Sequence, residues 1–218
     1  MKLYEYEAKK VFNKIGIPIP KKYGIIHSLK ELDELKLEYP LMLKSMVLVG
    51  GRGKAGGIKK ARNIDETKKI ANDLFKLKIK GIPVECILLE EVIDEIGACY
   101  IGITMDPATF NNVVIVSSSG GVDIEQVAKE KPHAILKREI TDNIDKLSKL
   151  TADDLASFLV TNLNGKKNLT NILSNIISKV YVTYQRFDAR LFEINTLIIT
   201  NDGVVAADAK LVLDYNAL

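Results

Sequence analysis

Between Lys44 and Gly57 the sequence reads Lys-Ser-Met-Val-Leu-Val-Gly-Gly-Arg-Gly-Lys-Ala-Gly-Gly, a short apolar strand running into a glycine-rich loop. From Gly51 onward the loop holds four glycines and two cations in seven residues. Glycine lets a backbone turn tightly and approach a ligand closely, and successive N–H groups in such a turn form a concavity for an anion. Arg52, Lys54 and the upstream Lys44 add positive charge, so the guest that fits is a polyphosphate. Two phosphate motifs are excluded. A P-loop needs Ser or Thr after Gly-Lys, with a helix starting there, whereas Gly53-Lys54 leads into Ala55-Gly56-Gly57. The dinucleotide fingerprint needs a G-x-G-x-x-G that opens a helix after a strand, and none does. The competing reading is a solvated turn with incidental charges, because glycine loops are common punctuation.

Composition narrows the partners. With 218 residues, of which 47% are hydrophobic, the chain can bury one large core or two smaller ones. Its net charge of +3 is too small for a face devoted to nucleic acid. No apolar run reaches the length of a membrane span, and the start, Met1-Lys-Leu-Tyr-Glu, lacks a signal-peptide pattern. Cys86 and Cys99 lie in apolar strand-like contexts without metal or disulfide spacing. Free buried thiols are expected, and with them a reducing cytoplasm.

Periodicity predicts a helix over 4–15, with Ala8, Val11, Phe12 and Ile15 inward and Gly16 as its stop. A strand over 22–27, a helix from Ser28 to Leu37, strands from Leu41 and over 58–62, and a helix over 65–77 follow. Val84–Glu91 is β-rich, and strands Cys99–Asp106 and Val113–Ser118 form a hairpin. A short helix opens at Ile124. Thr151 and Asp154 read as a capping box for a helix to Leu163. Leu169, Ile172, Leu173, Ile176, Ile177, Val180 and Tyr184 line one face of a long helix. Tyr181 and Tyr184 are read as packing groups, Lys59-Lys60 and Lys166-Lys167 as solvated, and His27 and His133 as non-catalytic. The alternation suggests an α+β protein in two lobes.

A second constellation lies near the C-terminus. Leu191–Thr200 and Val204–Leu211 flank Asn201-Asp202-Gly203, a strong hairpin signal. A four-residue loop sets Ile199 opposite Val204, Asn195 opposite Asp208 and Glu193 opposite Lys210, with these last four on one face. Phe192, Ile194, Ile198, Val205, Ala207, Ala209 and Leu211 then form the core face. An amide and a carboxylate oxygen side by side are hard ligands suited to magnesium, which takes few protein oxygens and completes its shell with phosphate and water. A solvated face with a Glu193–Lys210 cross-strand pair is the alternative.

The two constellations, in this order, resemble the nucleotide-binding part of the succinyl-CoA synthetase β subunit family. The likeness covers essentially the whole chain, through Glu5-Tyr-Glu-Ala-Lys9, Gly16-Ile-Pro-Ile-Pro20, Gly51 to Gly57, Gly120-Gly-Val-Asp-Ile-Glu125, Pro132-His133, Glu193-Ile-Asn195 and Asp208-Ala-Lys210. It implies an α+β ATP-grasp fold of two α/β lobes with the nucleotide held between their sheets. Residues 1–20 and 100–218 would form the larger lobe with the metal-site hairpin, and 21–99 the smaller lobe with the phosphate loop. It further implies that Lys44 and the backbone of Gly51, Arg52 and Gly53 hold the phosphates of ATP/ADP or GTP/GDP. Glu90, Glu91 and Val92 would meet base and sugar, and Asn195 and Asp208 would bind Mg2+. Glu193 would be catalytic, orienting the histidine that an α subunit, which also carries CoA, presents for phosphorylation.

The implied reaction belongs to the tricarboxylic acid cycle and is reversible: succinate, CoA and NTP give succinyl-CoA, NDP and phosphate. Malate or another acid, a citrate-cleaving relative and a non-catalytic nucleotide-binding module are the alternatives. An ATP-grasp carboxylate–amine ligase is a further one, against which Gly120–Glu125 argues. Three departures accompany the resemblance: Ala98 and Ser119 stand where members commonly carry glutamate, and the family's C-terminal CoA-ligase domain would begin about where the sequence ends at Leu218. The isolated chain is therefore expected to be inactive alone.

Overall fold

The computed structural model describes residues 1–141, 146–163 and 169–217. In chain order the elements are α1 (Glu5–Lys14), β1 (Lys22–Ile26), a 3-10 helix (Leu29–Glu34), β2 (Leu41–Ser45), β3 (Ile58–Ala61), α2 (Ile64–Phe75), β4 (Lys78–Ile79), β5 (Ile82–Pro83) and β6 (Ile87–Glu91). They continue with β7 (Gly97–Met105), β8 (Asn112–Ser117), α3 (Ile124–Glu130), a 3-10 turn (Pro132–Ala134), β9 (Ile135–Ile140), α4 (Lys149–Asn162), α5 (Leu169–Arg186), β10 (Ala189–Ile199), β11 (Val204–Ala206) and β12 (Lys210–Leu213). The chain divides into two units, Pro20–Ile93 and the pair of segments Met1–Ile19 and Asp94–Leu218. Residues 97–99, assigned to the smaller lobe from sequence, are the first residues of β7 and pair with Ile199, Ile198 and Leu197 of the larger unit.

The smaller unit is a four-stranded antiparallel sheet in the order β1-β6-β2-β3, accompanied by the β4–β5 hairpin. Alternation sends Leu41 and Leu43 of β2 and Ile87 and Leu89 of β6 into one core with Ala71 and Leu74 of α2. The same alternation turns Met42, Lys44, Leu88 and Glu90 to the opposite face. Helix α2 starts where Asn63 accepts the Glu66 N–H at 2.9 Å, while Glu66 receives the Arg62 N–H at 2.8 Å. The helix expected from Ser28 to Leu37 is only the 3-10 helix Leu29–Glu34. Leu32 is its one buried residue, too little apolar surface to hold several α-helical turns.

The larger unit is built on a six-stranded antiparallel sheet in the order β11-β10-β7-β8-β9, with β12 also paired to β10. Helices α1, α4 and α5 share one apolar cluster with it. Phe12 of α1 stacks on Phe192 of β10 with ring centroids 4.7 Å apart, and neither is exposed. Glu5 and Lys9, on the same helix, are buried as a 2.7 Å ion pair one turn apart. Tyr181 and Tyr184 pack in the core, whereas Ile172, expected there, is 37% exposed. The cap of α4 is Ser148, whose Oγ accepts the Thr151 N–H at 3.0 Å, so the helix begins before the capping box read at Thr151. Strand β9 was not anticipated. Its Lys137, Arg138 and Glu139 mask the alternation, as charges on an edge strand commonly do. Lys166 and Lys167 lie outside the described residues.

Candidate functional site

In the smaller unit, β2 carries Lys44 to the root of the glycine loop. The loop is closed by its own backbone: Ala55 N–H donates to Gly51 O at 3.1 Å, Gly56 to Gly53 at 3.0 Å and Gly57 to Arg52 at 2.8 Å. Ser45 N–H bonds Gly57 O at 2.8 Å, tying the far end of the loop back to β2. Gly51 has φ +89°, a conformation side-chain-bearing residues avoid. The N–H groups of Gly51 and Gly53 donate to no acceptor among the described residues. The expected ring of cations is only partly there. Lys54 is exposed, but Arg52 is buried and turns under the loop to donate to Ser45 O at 3.3 Å.

Lys44 and Glu90 meet as an ion pair, Nζ to Oε1 2.6 Å, with side chains 8% and 2% exposed. Glu91 alternates to the other face of β6, and its carboxylate accepts the Lys21 N–H at 2.7 Å, fastening β1. Val92 follows it, half-buried. Of the residues expected around base and sugar, Glu90 is therefore grouped with Lys44 and Glu91 is not.

In the larger unit the hairpin has the expected register at its two ends, while between them Thr196 O accepts the N–H groups of both Ala207 and Asp208. Ile199 pairs with Val204 and Glu193 with Lys210, and Thr200 N–H closes the loop on Gly203 O at 2.9 Å. The face assignment needs correction, because β10 slips by one residue against β7 between Ile194 and Leu197. Such a bulge reverses which residues point inward beyond it. Leu197, Ile199, Val204 and Ala206 fill the core, while Val205 and Ala207 are half exposed and Ile198 lies outside the core cluster.

The bulge aims Asn195 at the loop after β8. Its Oδ1 accepts the Gly121 N–H at 2.8 Å, and its Nδ2 donates to Val122 O at 2.9 Å and, at 3.5 Å, to Glu193 Oε1. Glu193 Oε2 also takes the Lys210 ammonium at 3.1 Å. Asp208 Oδ1 accepts the neighbouring Ala209 N–H at 2.8 Å.

Tyr100 was missed from sequence, where it read as one more apolar strand residue. Its ring lies over Gly102, with Cζ 2.7 Å from where a Cβ would stand, and Gly102 pairs with Glu193 across β10. Burial, then the Glu193 charge, push the Tyr100 phenol well above its usual range. The signal in the sequence was the small residue two places on, on the same face of the strand. Nearby, Gly120 presses onto β7: a Cβ there would stand 2.8 Å from both Cys99 N and Cys99 O. Ala98 and Ser119, the two departures from the family pattern, line one open cavity of about 400 Å³ with Ser118, Asp123 and Lys131. His27 and His133 are exposed.

The donor set suits a hard cation held sparsely. The Asn195 amide oxygen has two lone pairs, of which the Gly121 N–H takes one, and a carboxylate offers about four sites. Among the described residues no three His, Cys, Asp or Glu gather to hold a metal by themselves. Magnesium keeps most of its shell for water and phosphate and takes as few as one or two protein oxygens, the number that Asn195 and Asp208 could supply.

The ATP-grasp domain profile matches residues 2–199 of this sequence. The chain belongs to the ATP-grasp family. It is 40% identical over 218 residues to the succinate–CoA ligase [ADP-forming] subunit beta of Methanocaldococcus jannaschii, covering 100% of this chain and 58% of that protein. The fold matches that of the dinucleotide-forming acetyl-coenzyme A synthetase 1 of Ca. Korarchaeum cryptofilum. One structure, with coenzyme A, acetyl-coenzyme A and a phosphorylated phosphohistidine segment, superposes with TM-score 0.72 at 19% identity, covering 98% of this chain and 93% of that one. A second, with coenzyme A and Mg-AMPPCP, gives TM-score 0.66 at 18% identity over the same shares. The free, buried Cys86 and Cys99 are as expected, and burial raises the Cys99 thiol to about 12.

Proposed function

We propose that this chain is the nucleotide-binding part of a succinate–CoA ligase β subunit. The observation that carries the reading is the 40% identity along the entire chain to a protein of that name. The chain spans little more than half of that relative, 58% of its length, so the overall reaction belongs to a larger assembly. With an α subunit bearing CoA and a phosphorylated histidine, it would interconvert succinate, CoA and NTP with succinyl-CoA, NDP and phosphate. The N–H groups of Gly51, Arg52 and Gly53 and the Lys44 ammonium would hold the nucleotide phosphates, with the backbone of Glu90–Val92 at the base and sugar end. Asn195 and Asp208 would hold Mg2+, which when bound neutralises phosphate charge. Glu193 would accept the N–H of the partner's imidazole, fixing its orientation and favouring the charge it gains. The Lys210 ammonium, 3.1 Å from Oε2, directs that carboxylate. Among the described residues no helix is long and apolar enough to cross a membrane, and the free thiols suit a cytoplasmic setting.

The test is calorimetric titration of the chain with ATP and ADP, with and without Mg2+, followed by reconstitution with an α subunit. Binding that needs Mg2+, is lost in Lys44→Ala, and leads to phosphohistidine on α is the expected result. A chain that binds no nucleotide at millimolar concentration would refute the reading.

A further inference from the structure

Lys44 and Glu90 were given separate duties by the sequence, one toward phosphate and one toward base and sugar. The strand register joins them. Glu90 pairs with Met42 and Leu88 with Lys44 on adjacent β2 and β6, so the two side chains sit diagonally on one face, within reach of long groups. They meet at 2.6 Å, and the Glu90 side chain is only 2% exposed. A carboxylate so enclosed and so engaged is poorly disposed to contact a ribose or a base.

We infer that Glu90 is a positioning residue that acts on phosphate through Lys44. Lysine is a compact charge on a flexible four-carbon stem, and ordering such a stem during binding lowers affinity. The Glu90 carboxylate does that ordering beforehand, holding the ammonium at the root of the glycine loop. An ammonium has three donors, so the contact with Glu90 does not by itself prevent Lys44 from meeting a phosphate oxygen. Burial of the pair also keeps water from competing for the ammonium. This inference rests on the nucleotide reading above and assigns Glu90 within it.

The experiment compares ligands that differ in phosphate content. Wild-type chain, Glu90→Gln, Lys44→Ala and the double variant are titrated with MgATP and MgADP by calorimetry, and with adenosine by ligand-observed NMR. Glu90→Gln should weaken MgATP and MgADP by about tenfold or more, the worth of one charge-assisted contact, with adenosine binding unchanged. In the Lys44→Ala background Glu90→Gln should have no further effect, since its route to the phosphate is gone. An equal loss for adenosine and MgATP, or additive losses in the double variant, would show that Glu90 touches base or sugar directly and overturn the inference. Glu90→Asp is the second variant should Glu90→Gln fold poorly. It keeps the charge one methylene further back and should recover part of the MgATP affinity; recovery of none, with the fold intact by circular dichroism, counts against a positioning role. Absence of any nucleotide binding in the wild type would instead refute the nucleotide reading itself.

Discussion

Ser45 shows how closely the root of the loop is packed. It is fully buried, its backbone N–H is bonded to Gly57 O, and its Oγ has no hydrogen-bond partner among the described residues. A buried hydroxyl left unsatisfied costs about 1–3 kcal/mol. Ser45→Ala removes the hydroxyl and leaves the backbone bond in place, so the variant should be as stable as the parent or more stable by about 1 kcal/mol. Urea unfolding midpoints check this, and a clear loss of stability would mean the hydroxyl has a partner. Beside it, the Lys44–Glu90 pair has the opposite character: removing one member strands a buried charge, typically at a cost of about 3–5 kcal/mol. Lys44 was legible as a candidate because it precedes a glycine loop. Its partner was not, because nothing local in Ile87–Glu91 distinguishes the carboxylate that meets Lys44 from the one that fastens β1.

Among the elements, α4 and its contact with α5 give two tests. Ser148 is the structural cap, so Ser148→Ala should lower stability by about 1 kcal/mol. Thr151→Ala should cost less, since it removes only the 2.8 Å contact between the Thr151 and Ser148 hydroxyls and leaves the Thr151 N–H bonded to Ser148 Oγ. The urea midpoints of the two variants decide between Ser148 and the Thr151 cap read from sequence. One turn on, Asp153 pairs with Lys149 at 2.8 Å and accepts the Ser174 hydroxyl of α5 at 2.6 Å. Lys149 first, and Ser174 second, hold its carboxyl below the ordinary aspartate value of 3.8. A depressed folded-state pKa contributes stability that is complete above the ordinary value and is lost as pH falls through the folded one. Asp153→Asn should therefore flatten the acid limb of the stability profile below that value, seen by comparing midpoints near neutrality and about one unit beneath it. An unchanged acid limb would remove Asp153 from the packing of α4 on α5.

At the scale of the molecule, the two units each carry one part of the proposed chemistry on an antiparallel sheet: the glycine loop with Lys44 in the smaller, and Glu193, Asn195 and Asp208 in the larger. Asp208→Asn should weaken the Mg2+ dependence of nucleotide binding, because a carboxylate is the stronger ligand for a hard cation. Calorimetry at graded Mg2+ checks this, and an unaltered dependence takes Asp208 out of the metal site.

Features set by short-range chemistry were determined by the sequence alone. Asn201-Asp202-Gly203 dictates a tight hairpin, and with it the opposition of Glu193 and Lys210; glycine spacing dictates the loop; the helical periods of α1 and α5 dictate most of their buried faces. Tertiary structure decided the rest. A strand's alternation does not reveal a bulge against its neighbour, and the one at Asn195–Thr196 exchanged the core face of Ile198, Val205 and Ala207 for that of Leu197, Ile199, Val204 and Ala206. The same bulge turned Asn195 onto Gly121 and Val122. The meeting of Lys44 with Glu90, and the placing of the Tyr100 ring against Gly102 where that residue pairs with Glu193, arise from pairing between strands distant in the chain. Period and turn chemistry act over a few residues, whereas strand pairing is chosen by the burial of the whole sheet.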